Sequence, residues 1–296
     1  TYATRGNRED LSDLIYRITP TKTPFLSAIP KIKATNTLHE WQTDDLAPAA
    51  ANAQIEGDDI TTFTAPVYTF RAGNYTQISS KNLIISGTQQ AMKTAGRSNE
   101  RAYQISKRDM EVVLTSGGGS GANMTGVAGA AATARQLRGL EGWLATNSDM
   151  GVGGVAPVYY TGSFSAGTAV MSNPGTAPTD GTAAALTESR VKNVLQQIFN
   201  QGGDPDLIML GSSQKQTFSS FTGGNTRFDK SEDKSLTAAV DVYISDFGEL
   251  SIVPNRFQRS RSVFILETEK WALATLRPFE TTDLAKTGDA DKTYLV

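Results

Sequence analysis

The chain has 296 residues, 39% of them hydrophobic and 20% charged, which suits a globular protein with a sizeable buried core. Its formal net charge is −2, so strong phosphate binding is not the overall design of the molecule. The absence of cysteine excludes disulfides and thiolate metal sites, and no apolar run in the sequence is long enough for a membrane span.

The N-terminal region combines an amphipathic pattern with repeated prolines. Apolar residues recur at helical spacing from Leu11 to Ile18, which predicts a short helix that ends at Pro20. Pro24 and Pro30 then bracket an apolar run that we predict to be extended. The apolar side chains of such a run need another surface to pack on, either of the same chain or of a neighbour.

The stretch TLHEWQTDDLAP, residues 37–48, holds the one histidine of the chain. His39 lies close to Trp41 and to the carboxylates of Asp44 and Asp45, so a general base beside a substrate platform is one interpretation. A proline-flanked, extended segment would hold a catalytic site poorly, because catalysis needs groups fixed on rigid elements. We interpret His39 as a structural or subunit-contact residue, and a hydrolase that uses it remains the alternative.

A stretch of mostly small and acidic residues, 47–62, leads into a pattern that is typical of β-strands. Residues 65–86, APVYTFRAGNYTQISSKNLIIS, alternate as two strands, and Ala72, Gly73 and Asn74 are typical of a turn. We therefore predict a long β-hairpin that projects from the body of the protein.

A long amphipathic pattern follows, with a charged outer face and apolar residues at helical spacing. It predicts a helix that begins near Arg97 or earlier and ends at the glycines of residues 117–119. Residues 150–185 are rich in Gly, Ser, Thr and Pro, and we interpret them as a surface insertion with a small strand pair around PVYYTG.

The C-terminal half alternates between helical and strand patterns. Thr187 is a candidate cap for a helix that ends at Gly202, and a short strand, 206–210, and a second helix follow. The turn SDFGE predicts a hairpin, and SVFILE and KWALATL predict two more strands before Pro278. This order of elements is typical of a mixed α+β protein.

Several short motifs resemble parts of active sites but lack the surroundings that the chemistry needs. The kinase-like triplet at 246–248 and the elbow-like run at 118–122 have none of their partner motifs. Glu56, Asp58 and Asp59 do not have the alternating spacing of a calcium loop. We predict no catalytic, cofactor-binding or metal-binding residues and no cofactor.

Several segments together resemble the tailed-bacteriophage major capsid proteins with the Hong Kong 97-like fold. Those segments include REDLSDLIYRITPTKTPFLSAI, TLHEWQTDDLAP, NYTQISSKNLIISGTQQAM, GGDPDLIML, VDVYISDFGELSIVPNRF and EKWALATLRP, in collinear order over nearly the whole chain. The resemblance implies an α+β fold with an N-terminal arm, an extended β-hairpin loop, a peripheral domain with a long spine helix, and an axial domain with a central mixed sheet flanked by helices.

The resemblance also implies a division of the chain. The expected parts are an N-terminal arm at 1–46, an extended loop at 47–80, a peripheral domain at 81–134, an axial domain at 135–262 with a possible insertion at 150–185, and return strands of the peripheral domain at 263–296. Within the peripheral domain, the spine helix is expected at about 87–116.

A protein of this family is a structural subunit of an icosahedral head shell, not an enzyme. The resemblance implies hexamers and pentamers that enclose double-stranded DNA without reading its sequence, and portal and scaffold or decoration proteins as further partners, with no membrane. It places the subunit in the virion after assembly in the host cytoplasm. A cellular nanocompartment built from the same fold is a second alternative.

Ten residues are candidate assembly contacts, because they are apolar, aromatic or charged on segments that the resemblance places between subunits. They are Phe25, Leu26, Leu38, His39, Trp41, Asp44, Asp45, Tyr75, Arg256 and Phe257. Of these, Trp41 and Leu38 are expected to anchor the arm, either on the body of the protein or on a neighbour.

Overall fold

The computed structural model describes residues 15, 21–44, 46–47, 49–57, 59, 63, 66, 69–118, 124–161, 170–221 and 241–296. The helix predicted before Pro20 falls almost wholly outside these residues, and so does the side chain of Asp45. The described residues contain five α-helices: α1 (Pro24–Ala28), α2 (Gly87–Ala91), α3 (Glu100–Gly118), α4 (Glu188–Asn200) and α5 (Ser212–Ser219).

Thirteen strands lie in the described part of the chain. They are β1 (Lys31–Lys33), β2 (Leu38–Thr43), β3 (Phe70–Tyr75), β4 (Lys81–Ser86), β5 (Val158–Thr161), β6 (Val170–Thr176), β7 (Leu207–Leu210), β8 (Val242–Ser245), β9 (Gly248–Pro254), β10 (Val263–Leu266), β11 (Leu273–Thr275), β12 (Thr281–Leu284) and β13 (Ala290–Leu295). The mixture of helices and mostly antiparallel strands confirms the predicted α+β class.

The strands form one four-stranded sheet, one three-stranded sheet and three pairs. The four-stranded sheet has the order β10-β7-β9-β8, and only β7 and β9 run parallel in it. The three-stranded sheet has the antiparallel order β12-β13-β4. The pairs are β1 with β11 in parallel, and β2 with β3 and β5 with β6 in antiparallel.

These elements divide into two compact units. One unit consists of Thr1–Thr23, Ile78–Gly118 and Arg277–Val296, and it holds the three-stranded sheet with α2 and α3. The other consists of Pro24–Gln77 and Gly119–Leu276, and it holds the four-stranded sheet, the three strand pairs, α1, α4 and α5.

The core of the second unit lies on both faces of the four-stranded sheet. All four residues of β7 are buried, which explains why LIML reads as a continuous apolar run instead of an alternating one. Ile208 and Leu210 pack with Leu195 of α4 and Phe218 of α5 on one face. The other face carries a separate cluster: Leu207, Met209, Phe264 and Leu266 with Phe25, Ile29 and Leu140.

The apolar run between the prolines is helical, so the prediction of an extended segment was wrong. Pro24 is the first residue of α1, a position where a missing N–H breaks no intrahelical hydrogen bond. Phe25 and Ile29, spaced i and i+4, are both buried in the core of their own unit. Burial of this pair favours a turn of helix over an extended run.

The predicted turn at residues 72–74 is also wrong. Ala72, Gly73 and Asn74 lie in the middle of β3, whose partner is β2 and not β4. A Cβ on Gly73 would stand 2.9 Å from Cγ of Glu40 on β2, so the glycine allows a close approach of two strands. The predicted β-hairpin within 47–80 is replaced by this β2–β3 pair.

The helix implied at 87–116 is broken into two. Met92, the residue that follows α2, is extended, and Gly96 has φ of 73°, which L residues rarely adopt. The long helix α3 therefore begins only at Glu100, and it ends at Gly118 as its glycines predict. The helix after Thr187, the hairpin at SDFGE and the strand pair around PVYYTG are confirmed.

The predicted return strands divide between the two units. SVFILE forms β10 in the four-stranded sheet, where it pairs with β7 and buries Phe264 and Leu266. KWALATL supplies β11, which pairs with β1. In the described chain, β12 and β13 join β4 in the other unit. The resemblance implied that all strands from residue 263 onward return to the peripheral domain, and this expectation was wrong for β10 and β11.

Candidate assembly surfaces

The strand pair β2–β3 carries most of the residues singled out around His39. Trp41 lies opposite Ala72, and its ring centroid is 5.3 Å from that of Trp143. His39 lies 6.2 Å from Trp41 on the outer side of this ring pair, and the guanidinium carbon of Arg138 lies 5.0 Å from the Trp143 centroid on the inner side. The four side chains form a continuous series of contacts, with tilted rings, that attaches β2 to the body of its own unit.

Hydrogen bonds fix β3 to the same region of the body. The amide of Asn74 accepts from the backbone N–H of Arg138 at 2.8 Å and donates to its carbonyl at 3.4 Å. Arg135 donates from Nε to the carbonyl of Thr76 at 3.3 Å. The base of the strand pair is therefore held by its own chain and is a rigid support for the segment between the two strands.

The remaining described residues predicted near His39 take no part in the ring contacts of Trp41 with His39 and Trp143. Leu38 and Tyr75 are opposite one another and half-buried, and Asp44 is exposed. Glu40 forms an ion pair with Arg71 at 2.6 Å on the surface of the strand pair, where such pairs contribute little to stability. In the part of the chain that the structure describes, no hydrogen bond joins His39 to a serine or a carboxylate.

The other predicted contact residues lie elsewhere. Phe25 is 7% exposed and makes an edge contact with Trp271 at 6.1 Å, which leaves little of its surface for a neighbouring subunit. Leu26 packs against the same cluster and is half-buried. Arg256 is exposed and Phe257 half-buried, and the Phe257 N–H donates to the side-chain oxygen of Asn255 at 3.1 Å.

A buried acidic group that the sequence patterns do not reveal joins two distant parts of the second unit. Glu141 accepts from Nη1 of Arg259 at 2.6 Å and from the hydroxyl of Ser262 at 2.5 Å. Arg259 also forms an ion pair with Asp180. Glu141 is separated from Arg259 and Ser262 by more than a hundred residues, and the partners share no motif, so no local signal could predict the network.

The charged groups near this network are paired with one another. Arg190 binds Asp149 through two hydrogen bonds of 2.5 and 2.7 Å, and this guanidinium holds the pKa of the Asp149 carboxyl below its ordinary value. A cleft of about 530 Å³ adjoins both Glu141 and Asp149. Among the described residues, no cluster of histidine, aspartate and glutamate could hold a metal ion.

The segment between β2 and β3 exposes large apolar side chains. We call residues 44–69 the acidic segment, because they contain five aspartates and glutamates and no lysine or arginine. Leu46 is 96% exposed, Ile55 78% and Phe63 84%. Single exposed apolar residues are common on proteins, but three such residues on one short segment favour a surface that a partner covers.

Truncation of Trp41 should loosen the strand pair that supports the acidic segment. Trp41→Ala removes the ring between His39 and Trp143, and we expect it to lower the free energy of unfolding by about 1–3 kcal/mol because the side chain is only partly buried. We also expect a lower yield of assembled particles. Chemical denaturation and electron microscopy measure the two effects, and normal stability with a normal particle yield would contradict the anchoring role.

Comparisons with known proteins decide the family of the chain. A profile of the family described as SU10 major capsid protein matches residues 1–296. The chain belongs to this family. It is 25% identical over 318 residues to the major capsid protein of Escherichia phage Phieco32, a match that covers 98% of this chain and 89% of that protein.

Solved structures have the same fold at low sequence identity. The capsid of a native GTA particle matches with a TM-score of 0.59 and 10% identity, over 99% of this chain and 89% of that chain. A structure from Mycobacterium phage Bobi matches with a TM-score of 0.56 and 11% identity, over 99% of this chain and 87% of that chain. These likenesses show the Hong Kong 97-like fold.

Membership of the SU10 family makes the chain a major capsid protein of a tailed phage, a structural subunit of the shell and a component of the virion. The resemblance identified from the sequence is thereby confirmed, and the comparisons favour the phage shell over the nanocompartment. None of the helices in the described ranges has the length and apolar character that crossing a membrane requires.

Proposed function

We propose that the subunit builds its shell from hexamers and pentamers by placing the acidic segment on a neighbouring subunit. The observation that carries this proposal is the exposure of Leu46, Ile55 and Phe63 on one segment whose base is fixed by β2 and β3. Burying a side chain of this size contributes about 1.5–3 kcal/mol. Repeated at every subunit of a closed shell, these contacts are a strong driving force for assembly.

The two compact units correspond to the two domains of the proposed subunit. We assign the unit with the three-stranded sheet and α3 as the peripheral domain, and the unit with the four-stranded sheet as the axial domain at the centres of the capsomers. Of the arm expected at 1–46, residues 24–46 belong to the unit with the four-stranded sheet, so we limit the arm that contacts adjacent subunits to residues 1–23. The division between the units differs from that expected at 81–134 and 263–296, because β10 and β11 belong with the four-stranded sheet.

The candidate contact residues within the described ranges are assigned by their exposure, and Asp45, which lies outside those ranges, keeps its assignment from the sequence. Trp41, Leu38 and Tyr75 hold the strand pair in position, while Asp44, Asp45, Arg256 and Phe257 contact other subunits. Phe25 and Leu26 affect assembly indirectly, because they stabilise the core of their own unit. A shell subunit needs no catalytic group, and we propose that His39 has a structural role, which its tilted ring contact with Trp41 supports.

Further partners follow from the enclosure of a genome. We propose that the shell encloses double-stranded DNA without reading its sequence, meets a portal and scaffold or decoration proteins, and assembles in the host cytoplasm. The net charge of −2 supports weak contact with DNA, because tight binding to the shell would oppose packaging and ejection.

Removing the apolar groups of the acidic segment tests the proposal. The double variant Ile55→Ser, Phe63→Ser should fold normally, because both side chains are exposed in the subunit. We expect the yield of assembled particles to fall at least tenfold, as measured by sedimentation and electron microscopy. Val152→Ser is the matched control, since Val152 is 82% exposed but lies outside the acidic segment. Particles formed at the normal yield by the double variant would contradict the proposal.

A further inference from the structure

Two neighbouring stretches of the sequence have opposite charge. Residues 14–39 contain no aspartate or glutamate, and their basic residues are Arg17, Lys22, Lys31 and Lys33. The acidic segment that follows β2 contains five acidic residues and no basic one. Such a separation of charge promotes contact between the two stretches and sets their register.

The basic stretch contains a strand with an open edge. In the described part of the chain, β1 pairs with β11 alone. The carbonyl of Pro30 accepts from Leu273, and the N–H of Ala34 donates to Thr275. Because alternate residues of a strand direct their backbone groups to opposite edges, the N–H and C=O groups of Lys31 and Lys33 face away from β11. An open edge of this kind can accept a further strand.

The side chains of β1 are also uncovered in the subunit. Ile32 is 43% exposed, and Lys31 and Lys33 are both exposed. Among the described residues, neither lysine forms an ion pair, whereas Lys81 and Lys192 each contact a glutamate. Because side chains alternate along a strand, Ile32 lies on one face of β1 and the two lysines lie on the other.

The acidic segment contains a matching pattern. Lys31-Ile32-Lys33 reads basic, apolar, basic, and Gln54-Ile55-Glu56 reads polar, apolar, acidic. If residues 54–56 were paired with β1 so that Ile55 lay opposite Ile32, Glu56 would lie beside a lysine in either strand direction. One register therefore satisfies the apolar contact, the charge pairing and the backbone hydrogen bonds together.

We propose that residues 54–56 of a second copy add as a strand to the open edge of β1, with Ile55 against Ile32 and Glu56 against Lys31 or Lys33. This inference rests on the proposed function, since it names the surface on which the acidic segment docks. The occupant is a second copy because Ile32 and Ile55 both remain exposed within the single subunit, at 43% and 78%.

Disulfide trapping tests the contact directly, because the chain has no cysteine of its own. Subunits carrying Ile32→Cys are assembled together with subunits carrying Ile55→Cys, and the particles are oxidised. Residues opposite one another in a strand pair bring their Cβ atoms to about 4.5–5.5 Å, within reach of a disulfide on modest adjustment. We expect a linked dimer on a non-reducing gel from the mixture, and none from either variant alone.

The matched control replaces another exposed isoleucine of a strand. Ile84 of β4 is 63% exposed, and Ile84→Cys subunits assembled with Ile55→Cys subunits should give no linked dimer. A link to residue 84 instead of residue 32 would overturn the inference while leaving the proposed function intact. A link that forms only within one chain, in a variant carrying both Ile32→Cys and Ile55→Cys, would also overturn it.

Charge reversal gives an independent measurement that needs no disulfide geometry. Glu56→Lys alone, and Lys31→Glu with Lys33→Glu, should each lower the particle yield at least fivefold, and the combination of all three should restore most of it. Charge reversal at the exposed Glu269, Glu269→Lys, should not restore the particle yield of the variant that carries Lys31→Glu and Lys33→Glu. A lack of rescue by Glu56→Lys would overturn the inference.

A role of these lysines in binding DNA gives a different result. In that case Lys31→Glu with Lys33→Glu would form particles at the normal yield that hold less DNA, and the inference would be overturned. If Ile55→Ser, Phe63→Ser still abolished particles, the acidic segment would dock elsewhere on a neighbour. If that double variant also assembled normally, the proposed function itself would fail.

Discussion

Phe218→Ala is expected to lower the free energy of unfolding by about 3–5 kcal/mol, because it removes a fully buried ring from the core of the second unit. The Phe218 ring contacts Phe221 at 4.8 Å and Tyr243 edge-on at 5.3 Å. It thereby attaches α5 to the four-stranded sheet, and a smaller side chain would leave a cavity between them. Guanidinium denaturation of the free subunit, followed by circular dichroism, measures the loss.

Phe199→Ala is the matched control for this prediction. Phe199 is 57% exposed and its described ring contact is with Phe247 at the surface of the same unit. Its truncation should lower the free energy of unfolding by no more than about 1 kcal/mol. Equal losses for Phe199→Ala and Phe218→Ala would contradict the assignment of Phe218 to the core.

Glu141→Ala is expected to lower the free energy of unfolding by about 3 kcal/mol, since it removes the buried carboxylate that accepts hydrogen bonds from the half-buried Arg259 and from Ser262. Glu141 is 8% exposed and holds both Arg259 and Ser262. After its removal, Arg259 keeps its ion pair with Asp180. The same denaturation experiment measures the change, and we also expect the cleft beside Glu141 to open.

A surface ion pair provides the comparison for the buried one. Glu188 pairs with Lys192 on α4 at 2.9 Å, and the lysine side chain is 51% exposed. Glu188→Ala should therefore cost less than about 1 kcal/mol. If Glu141→Ala costs as little as Glu188→Ala, the network around Arg259 does not contribute to holding residues 139–143 against residues 259–262.

Local sequence patterns were sufficient to predict the elements that are formed by residues close together in the sequence. Helix α4 has a regular apolar stripe and ends at Asn200, two residues before Gly202, whose φ of 78° suits glycine. The β8–β9 hairpin turns at SDFGE, where Gly248 supplies a positive φ. In these elements the period of the side chains and the chemistry of the turn point to the same structure.

Patterns failed where distant parts of the chain decide the structure. Ala72, Gly73 and Asn74 suit a turn by composition, but pairing with β2, more than thirty residues earlier, keeps them extended. Phe25 is helical because the core cluster that includes Phe264 and Met209 buries it. No window of local sequence contains the residues that make these contacts.

The candidate contact surface was only partly predictable for the same reason. The sequence indicates Trp41 as an anchor but not its partner, since Trp143 lies a hundred residues away. The family resemblance placed an extended loop at 47–80, and the exposed side chains of Ile55 and Phe63 now show which of its residues are exposed in the subunit.

Imaging assembled particles tests the central claim most directly. Cryo-electron microscopy of shells built from this chain should resolve pentamers and hexamers in which Leu46, Ile55 and Phe63 are covered by a neighbouring subunit. Residues 54–56 should lie along the open edge of β1 in that neighbour. Shells in which the acidic segment remains in solvent or folds onto its own subunit would contradict the account, as would a chain that stays monomeric under every assembly condition.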